Sequence, residues 1–282
     1  MSAHTLHWRV NRIKELMEEK AQEEYSDATA NTDLLGSLTG GAPPSDIFIE
    51  VESYRSHVDV DELFQPFLDM PLPETIDDEI GRVTSARQDL FQAYTEMVGQ
   101  LAANAANWRG DAGATFNSWI ASINSAAAEH LTLLEHLEKV LLLYRQLLEE
   151  SWTAVKHLAS AIIEKLKNMD QGVSLDWNAL ISLGTAVAGA IATLADVPGG
   201  AMVLLSQASA MATLGQSGNG LIQGIHVGGD TVISVMRSAK NAVHDLRDGL
   251  EAKGRLIAET LATVQDLIYN NAALVRPSRP MI

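Results

Sequence analysis

Apolar positions recur at helical spacing through most of this chain. From Pro73 to about Ala106, Ile76, Ile80, Val83, Leu90, Tyr94, Met97 and Leu101 stand three, four or seven residues apart, along one face of a helix. A break follows at Trp108-Arg109-Gly110. The rhythm then resumes through Phe116, Ile120, Ile123, Leu131, Leu134, Leu137, Leu141, Tyr144, Leu148, Trp152, Val155, Ile162 and Leu166. No proline or glycine interrupts residues 114–169, so the pattern predicts a helix of ~55 residues, ~80 Å long at 1.5 Å per residue. A helix of that length needs a partner along it.

The flanks read differently. Residues 5–25 predict a short amphipathic helix with Trp8, Ile13 and Met17 toward one side. NTDLLGSLTGGAPPSD has the composition of a linker, and DIFIEVESY alternates Ile47, Ile49 and Val51 as a strand or extended arm would. PFLDMPLPE holds three prolines in eight residues and is expected to be irregular. Beyond the long helix, Gly172 is a candidate C-cap, and Ser174 or Asp176 a candidate N-cap for the next helix. Residues 177–195 and 201–215 carry no charge and are joined by DVPGG. The glycine-rich GQSGNGLIQGIHVGGD should be bent. Val232, Val235, Ala239, Val243, Leu246, Leu250, Ile257, Leu261, Val264 and Leu267 mark a last helix ending near Asn271.

The predicted fold is therefore all-α: an elongated helical bundle built on a long antiparallel helical hairpin with a Trp-x-Gly turn. The expected order is an N-terminal helix and irregular arm (1–72), the hairpin (73–170), an apolar Ala/Gly-rich helical hairpin (171–229), and a return helix with an extended tail (230–282). At the break, Gly110 can take positive φ, Asp111 is placed to cap the second helix, and Trp108 sits at the hairpin end.

A Trp-x-Gly between two apolar-faced helices, followed by small residues and Phe116, resembles the WXG-type helical hairpins of type VII (Esx) secretion systems. The resemblance spans roughly residues 74–150. It implies that Trp108 and Gly110, supported by Phe116, shape a recognition turn completed by a partner helix or a secretion-system component. It also implies a homo- or hetero-oligomer, cytoplasmic before export and then secreted or at the cell surface. One departure stands out. These families carry a Tyr-x-x-x-Asp/Glu export signal, but none of Tyr25, Tyr54, Tyr94, Tyr144 or Tyr269 has an acidic residue four places on; Glu149 follows Tyr144 by five.

The uncharged segment has its own chemistry. Gly184, Ala188 and Ala192 stand four apart, a small-residue face suited to close helix contact. Starting at Trp177, this arm approaches the ~20 residues that span a bilayer, so it reads either as a buried hairpin or as a membrane-inserting arm of a pore-forming protein. A cytosolic helical scaffold is the third reading.

Charge and composition narrow these classes. Acidic residues outnumber basic ones 36 to 20, a formal charge of −16, which disfavours nucleic acid and anionic lipid as electrostatic targets. No cysteine is present, so disulfides and thiolate metal sites are excluded. The N-terminus lacks the apolar stretch of a signal peptide. Glu129-His130 and Glu135-His136 repeat six apart, whereas metal pairs on one helix face need three or four. His157, His226 and His244 stand alone and are expected to be solvated or singly hydrogen-bonded, and Asp59, Asp61 and Glu62 to form a solvated acidic face. No residue set calls for catalysis, a metal or a cofactor, and the expected function is non-enzymatic.

Overall fold

The computed structural model describes residues 3–39, 59–105, 107–169, 175–177 and 225–270. Five helices and a short ribbon follow in order: α1 (Ala3–Thr39), α2 (Val60–Leu68), α3 (Glu74–Ala105), α4 (Asp111–Lys167), β1 (Leu175–Trp177), β2 (Ile225–Val227) and α5 (Val232–Asn270). The fold is the expected all-α bundle.

Its spine is α4, 57 residues long and ~85 Å at the α-helical rise. Uninterrupted Ala, Leu and Glu content carries it that far, and Lys165 and Lys167 in its last turn oppose the negative helix end. It stops at Asn168, whose backbone N–H donates to the carbonyls of Glu164 and Lys165. The C-cap is thus Asn168, four residues before the expected Gly172.

α3 runs back along α4. Arg145 pairs with Asp77 near the start of α3, and farther along it Glu138 pairs with Arg87 at 3.1 Å and accepts from Thr84 at 2.9 Å. The core lies at the other end of α4. Trp152, Val155, Leu158, Ile162 and Leu166 are fully buried there, clustered with Leu6, Val10, Ile13 and Leu16 of α1, Phe64 and Phe67 of α2, and Val235, Met236, Ala239, Val243 and Leu246 of α5. The Trp152 indole N–H donates to the carbonyl of Pro71 at 3.0 Å, which ties the proline-rich stretch onto the spine.

The N-terminal region departs from the sequence expectation. α1 runs to Thr39 and lays a continuous buried stripe into the core, whereas Trp8 points outward at 59% exposure. The stripe steps by four, three and three from Leu6 to Leu16, and position 8 falls off it. Pro66 sits inside α2, where an irregular segment was expected. The turn survives because Asp59 caps it, accepting from the N–H groups of Asp61 and Glu62, and because Val60, Phe64 and Phe67 are buried. Glu62, whose carbonyl loses its partner to Pro66, faces water. The Ile47–Val51 strand reading lies outside the described residues.

The second departure is at Trp177. Instead of starting a helix capped by Ser174 or Asp176, residues 175–177 form β1, antiparallel to β2 with Leu175 opposite Val227 and Trp177 opposite Ile225. The ribbon brings the two ends of 178–224 together. Gly184, Ala188 and Ala192 lie outside the described residues. α5 then starts on a reciprocal cap: Ser234 N–H donates to Thr231 Oγ1, and Thr231 N–H to Ser234 Oγ. Glu24 of α1 accepts from Val232 N–H at 2.9 Å, so a carboxylate from another helix meets the positive end of α5.

Candidate functional site

The break between α3 and α4 is built from backbone requirements. Trp108 N–H donates to Ala105 O at 2.9 Å as α3 ends, and Ala114 N–H donates to Gly110 O at 3.1 Å as α4 begins. Gly110, between them, has φ 77° and ψ −161°, a region essentially closed to residues with a Cβ. Gly110 is itself the N-cap and supplies no side-chain hydrogen bond. Asp111, expected as the cap, is instead the first helical residue, where its carboxylate faces the positive helix end. A cap must be non-helical, and only Gly110 can make this bend.

A second glycine completes the turn. Gly113 is buried, and a Cβ there would lie 2.8 Å from the carbonyl oxygen of Trp108 and 3.0 Å from its carbonyl carbon. The motif in this chain is therefore Trp-x-Gly-x-x-Gly. One glycine sets the dihedrals, and the other admits the tryptophan backbone.

This geometry holds an aromatic ladder at the tip. The Trp108 and Phe116 rings are 5.0 Å apart at 45°, and Phe116 and Trp119 are 5.7 Å apart at 49°. Trp108 remains 55% exposed, while Phe116 and Trp119 are half-buried. Trp119 was not singled out in the sequence, although its place three residues after Phe116 is the signal that would have found it.

The surface leading to this tip is unlike the rest of the chain. Between residues 90 and 128 only Glu96, Arg109 and Asp111 are charged, against 20% of residues overall. Phe91 and Met97 are exposed, at 59% and 40%. Met97 was expected on the inner face, but the stripe continues through Tyr94, Val98 and Leu101, and Met97 lies beside it. No residue of α3 is fully buried, and before His136 the buried residues of α4 are Gly113, Ala126 and Ala127. Small side chains let the two helices approach closely, and they leave larger apolar groups facing out.

Elsewhere the titratable residues have structural partners or stand apart. Asp59 caps α2 and Asp61 pairs with Lys14, so this acidic group is partly structural and not simply a solvated face. His136 is buried at 6% exposure, and its Nε2 has no hydrogen-bond partner. Burial pulls its pKa below 6.5, helped by Lys139 and opposed by Glu135. Among the described residues no group of His, Asp and Glu is placed to hold a metal ion, and no helix is long and apolar enough to cross a membrane.

Residues 72–150 match the sequence profile of a family described as proteins of 100 residues with WXG. This segment is a WXG100-type, ESAT-like hairpin. The match covers α3, the turn and the first two thirds of α4, and Trp108-Arg109-Gly110 lies within it. No curated protein and no solved structure matches the chain. WXG100 proteins are substrates of type VII secretion systems and commonly pair, and the match implies a type VII association for the segment that carries it.

Proposed function

We propose that this chain is a non-enzymatic type VII substrate or effector that acts by binding a helical partner or a secretion-system component, or by self-assembly, through the distal half of its WXG100 hairpin. The observation that carries this reading is the tip itself. Gly110 and Gly113 hold Trp108 in a fixed, exposed position on a ladder of two further rings. A large, amphipathic side chain flanked by Arg109 and Asp111 at the end of an otherwise nearly uncharged surface has the composition of a binding hot spot. On this reading export proceeds as a complex in which the partner supplies the Tyr-x-x-x-Asp/Glu signal. The mature protein then acts outside the cell or on its surface.

The test is export of Trp108→Ala by a strain carrying the type VII system, with circular dichroism on the purified variant. Expected is loss of export and of partner capture, with helix content and unfolding temperature unchanged. Normal export of the variant would overturn the proposal.

A further inference from the structure

α5 changes character part-way along. Its inner stretch is packed as tightly as any part of the core: Val232, Val235, Met236, Ala239, Ala242, Val243 and Leu246 are each 3% exposed or less. Beyond Leu246, Ile257 is the one fully buried apolar residue among the described side chains, and Leu250 and Leu261 are only partly covered.

The change coincides with two weaknesses in the sequence GLEAKG. Gly249 and Gly254 bracket Lys253 inside the helix, where each glycine loses about 1 kcal/mol of helix propensity relative to alanine. A Cβ at Gly254 would meet nothing, so packing does not demand that glycine. The second weakness is polar. Lys253 is buried, and its Nζ has no hydrogen-bond partner. Its electrostatic neighbour is Glu150 of α4. Glu150 accepts through Oε1 from Gln146 at 2.9 Å, but its Oε2 is buried and unpaired. Lysine and glutamate therefore face each other without the hydrogen bond that would offset their desolvation. One turn and a half earlier, the Arg247 guanidinium reaches Asp248 and Glu251 of its own helix, not α4.

Because α5 begins near the end of α4 and Lys253 lies by Glu150, the outer part of α5 continues along α4 toward the hairpin tip. Leu148, Leu147, Leu143, Val140 and His136 are the next buried α4 residues in that direction. Among them His136 carries another unsatisfied polar atom, Nε2.

We infer that α5 is hinged at Gly249–Gly254, and that its outer part, from Arg255 onward, is a strap that lifts from α4 while the inner part stays docked. Lifting hydrates Lys253 and Glu150, and bares the Leu143 face of the spine next to the WXG100 hairpin. The bared face is where a partner helix would extend its contact, and that last step alone rests on the partner-binding reading above.

The chain has no cysteine, so single cysteines report accessibility cleanly. Full-length Leu143→Cys and Ala161→Cys, with the native residues 5% and 8% exposed, are labelled with a maleimide under native conditions. The strap predicts labelling at Leu143→Cys at least ~10-fold faster than at Ala161→Cys, which is buried beyond Trp152 in the part of α4 that stays packed. Adding Gly254→Ala, which removes no contact, should slow Leu143→Cys labelling about 5-fold, the equivalent of its propensity gain, and leave Ala161→Cys unchanged. Glu150→Leu with Lys253→Met should slow it further, and hydrogen exchange at residues 255–262 should follow the same order. Equal labelling at the two cysteines, or no response to Gly254→Ala, overturns the hinge. Since no partner enters this assay, its failure would leave the Trp108 export test standing, and the reverse holds as well.

Discussion

Gly113→Ala separates local propensity from tertiary constraint at the WXG100 turn. Gly113 is the third residue of α4, and in a helix alanine is favoured over glycine by about 1 kcal/mol. Propensity alone therefore predicts stabilisation. The structure predicts the opposite, because the new methyl would sit 2.8 Å from a backbone oxygen of Trp108, which cannot swing away as a side chain could. Forcing a methyl into such a contact costs about 1–3 kcal/mol. Gly99→Ala is the matched control, since a Cβ there meets nothing and only the propensity gain remains. Both variants share the propensity gain, so they should differ by the cost of the contact, roughly 1–3 kcal/mol in the free energy of opening the turn. That is about 5- to 140-fold in exchange rate, at ~1.4 kcal/mol per tenfold. The assay is hydrogen exchange at residues 114–118, with near-ultraviolet circular dichroism of the Trp108–Phe116–Trp119 ladder. Gly113→Ala should speed exchange and weaken the aromatic signal, while Gly99→Ala should slow exchange on α3 and leave the signal intact. If Gly113→Ala protects the turn as Gly99→Ala protects α3, the close approach is not a constraint and the turn does not need its second glycine.

Other perturbations test the core and the buried polar groups. Trp152→Ala should cost about 3–5 kcal/mol by calorimetry, and Trp152→Phe about 1–3 kcal/mol, because the Pro71 carbonyl loses its donor. Asp59→Ala removes the acceptor for two N–H groups of α2 and should cost about 1 kcal/mol in a denaturant titration. His136 gives a pH signature. Its folded pKa is depressed, so its contribution is fully present above 6.5 and is lost as pH falls through the folded value; His136→Gln should flatten the fall in unfolding temperature over that range. Glu150 has the opposite sign: burial raises its pKa above 4.5, so protonation favours the folded state, and the benefit is lost as pH rises through the raised value. Glu150→Gln should therefore raise the unfolding temperature at neutral pH relative to acid.

Much of this was legible in the sequence because it depends on period and punctuation alone. An unbroken three-and-four rhythm from Ala114 to Met169 can only be a long helix, and the turn at Trp108 had to fold that helix back on α3. The last helix was equally plain, since its apolar positions repeat without interruption. The order of residues along the chain could not show which faces meet. Trp8 and Met97 are apolar but lie one step off the buried stripes, and only the packing of α1 and α3 on α4 reveals that. Pro66 sits in a helix because burial of Phe64 and Phe67 outweighs one lost hydrogen bond, a comparison between neighbours far apart in sequence. The strand at Trp177 exists because Ile225–Val227, nearly fifty residues on, pairs with it. At the site, Trp108 and Gly110 were visible as letters, but the need for Gly113 arises from a through-space contact with a carbonyl five residues earlier. The helices and the place of the turn were set by the order of residues, because these follow from local spacing. The outward Trp108, the third ring and the uncompensated Glu150–Lys253 meeting emerged only from the packed fold, because exposure and desolvation are properties of what surrounds a residue.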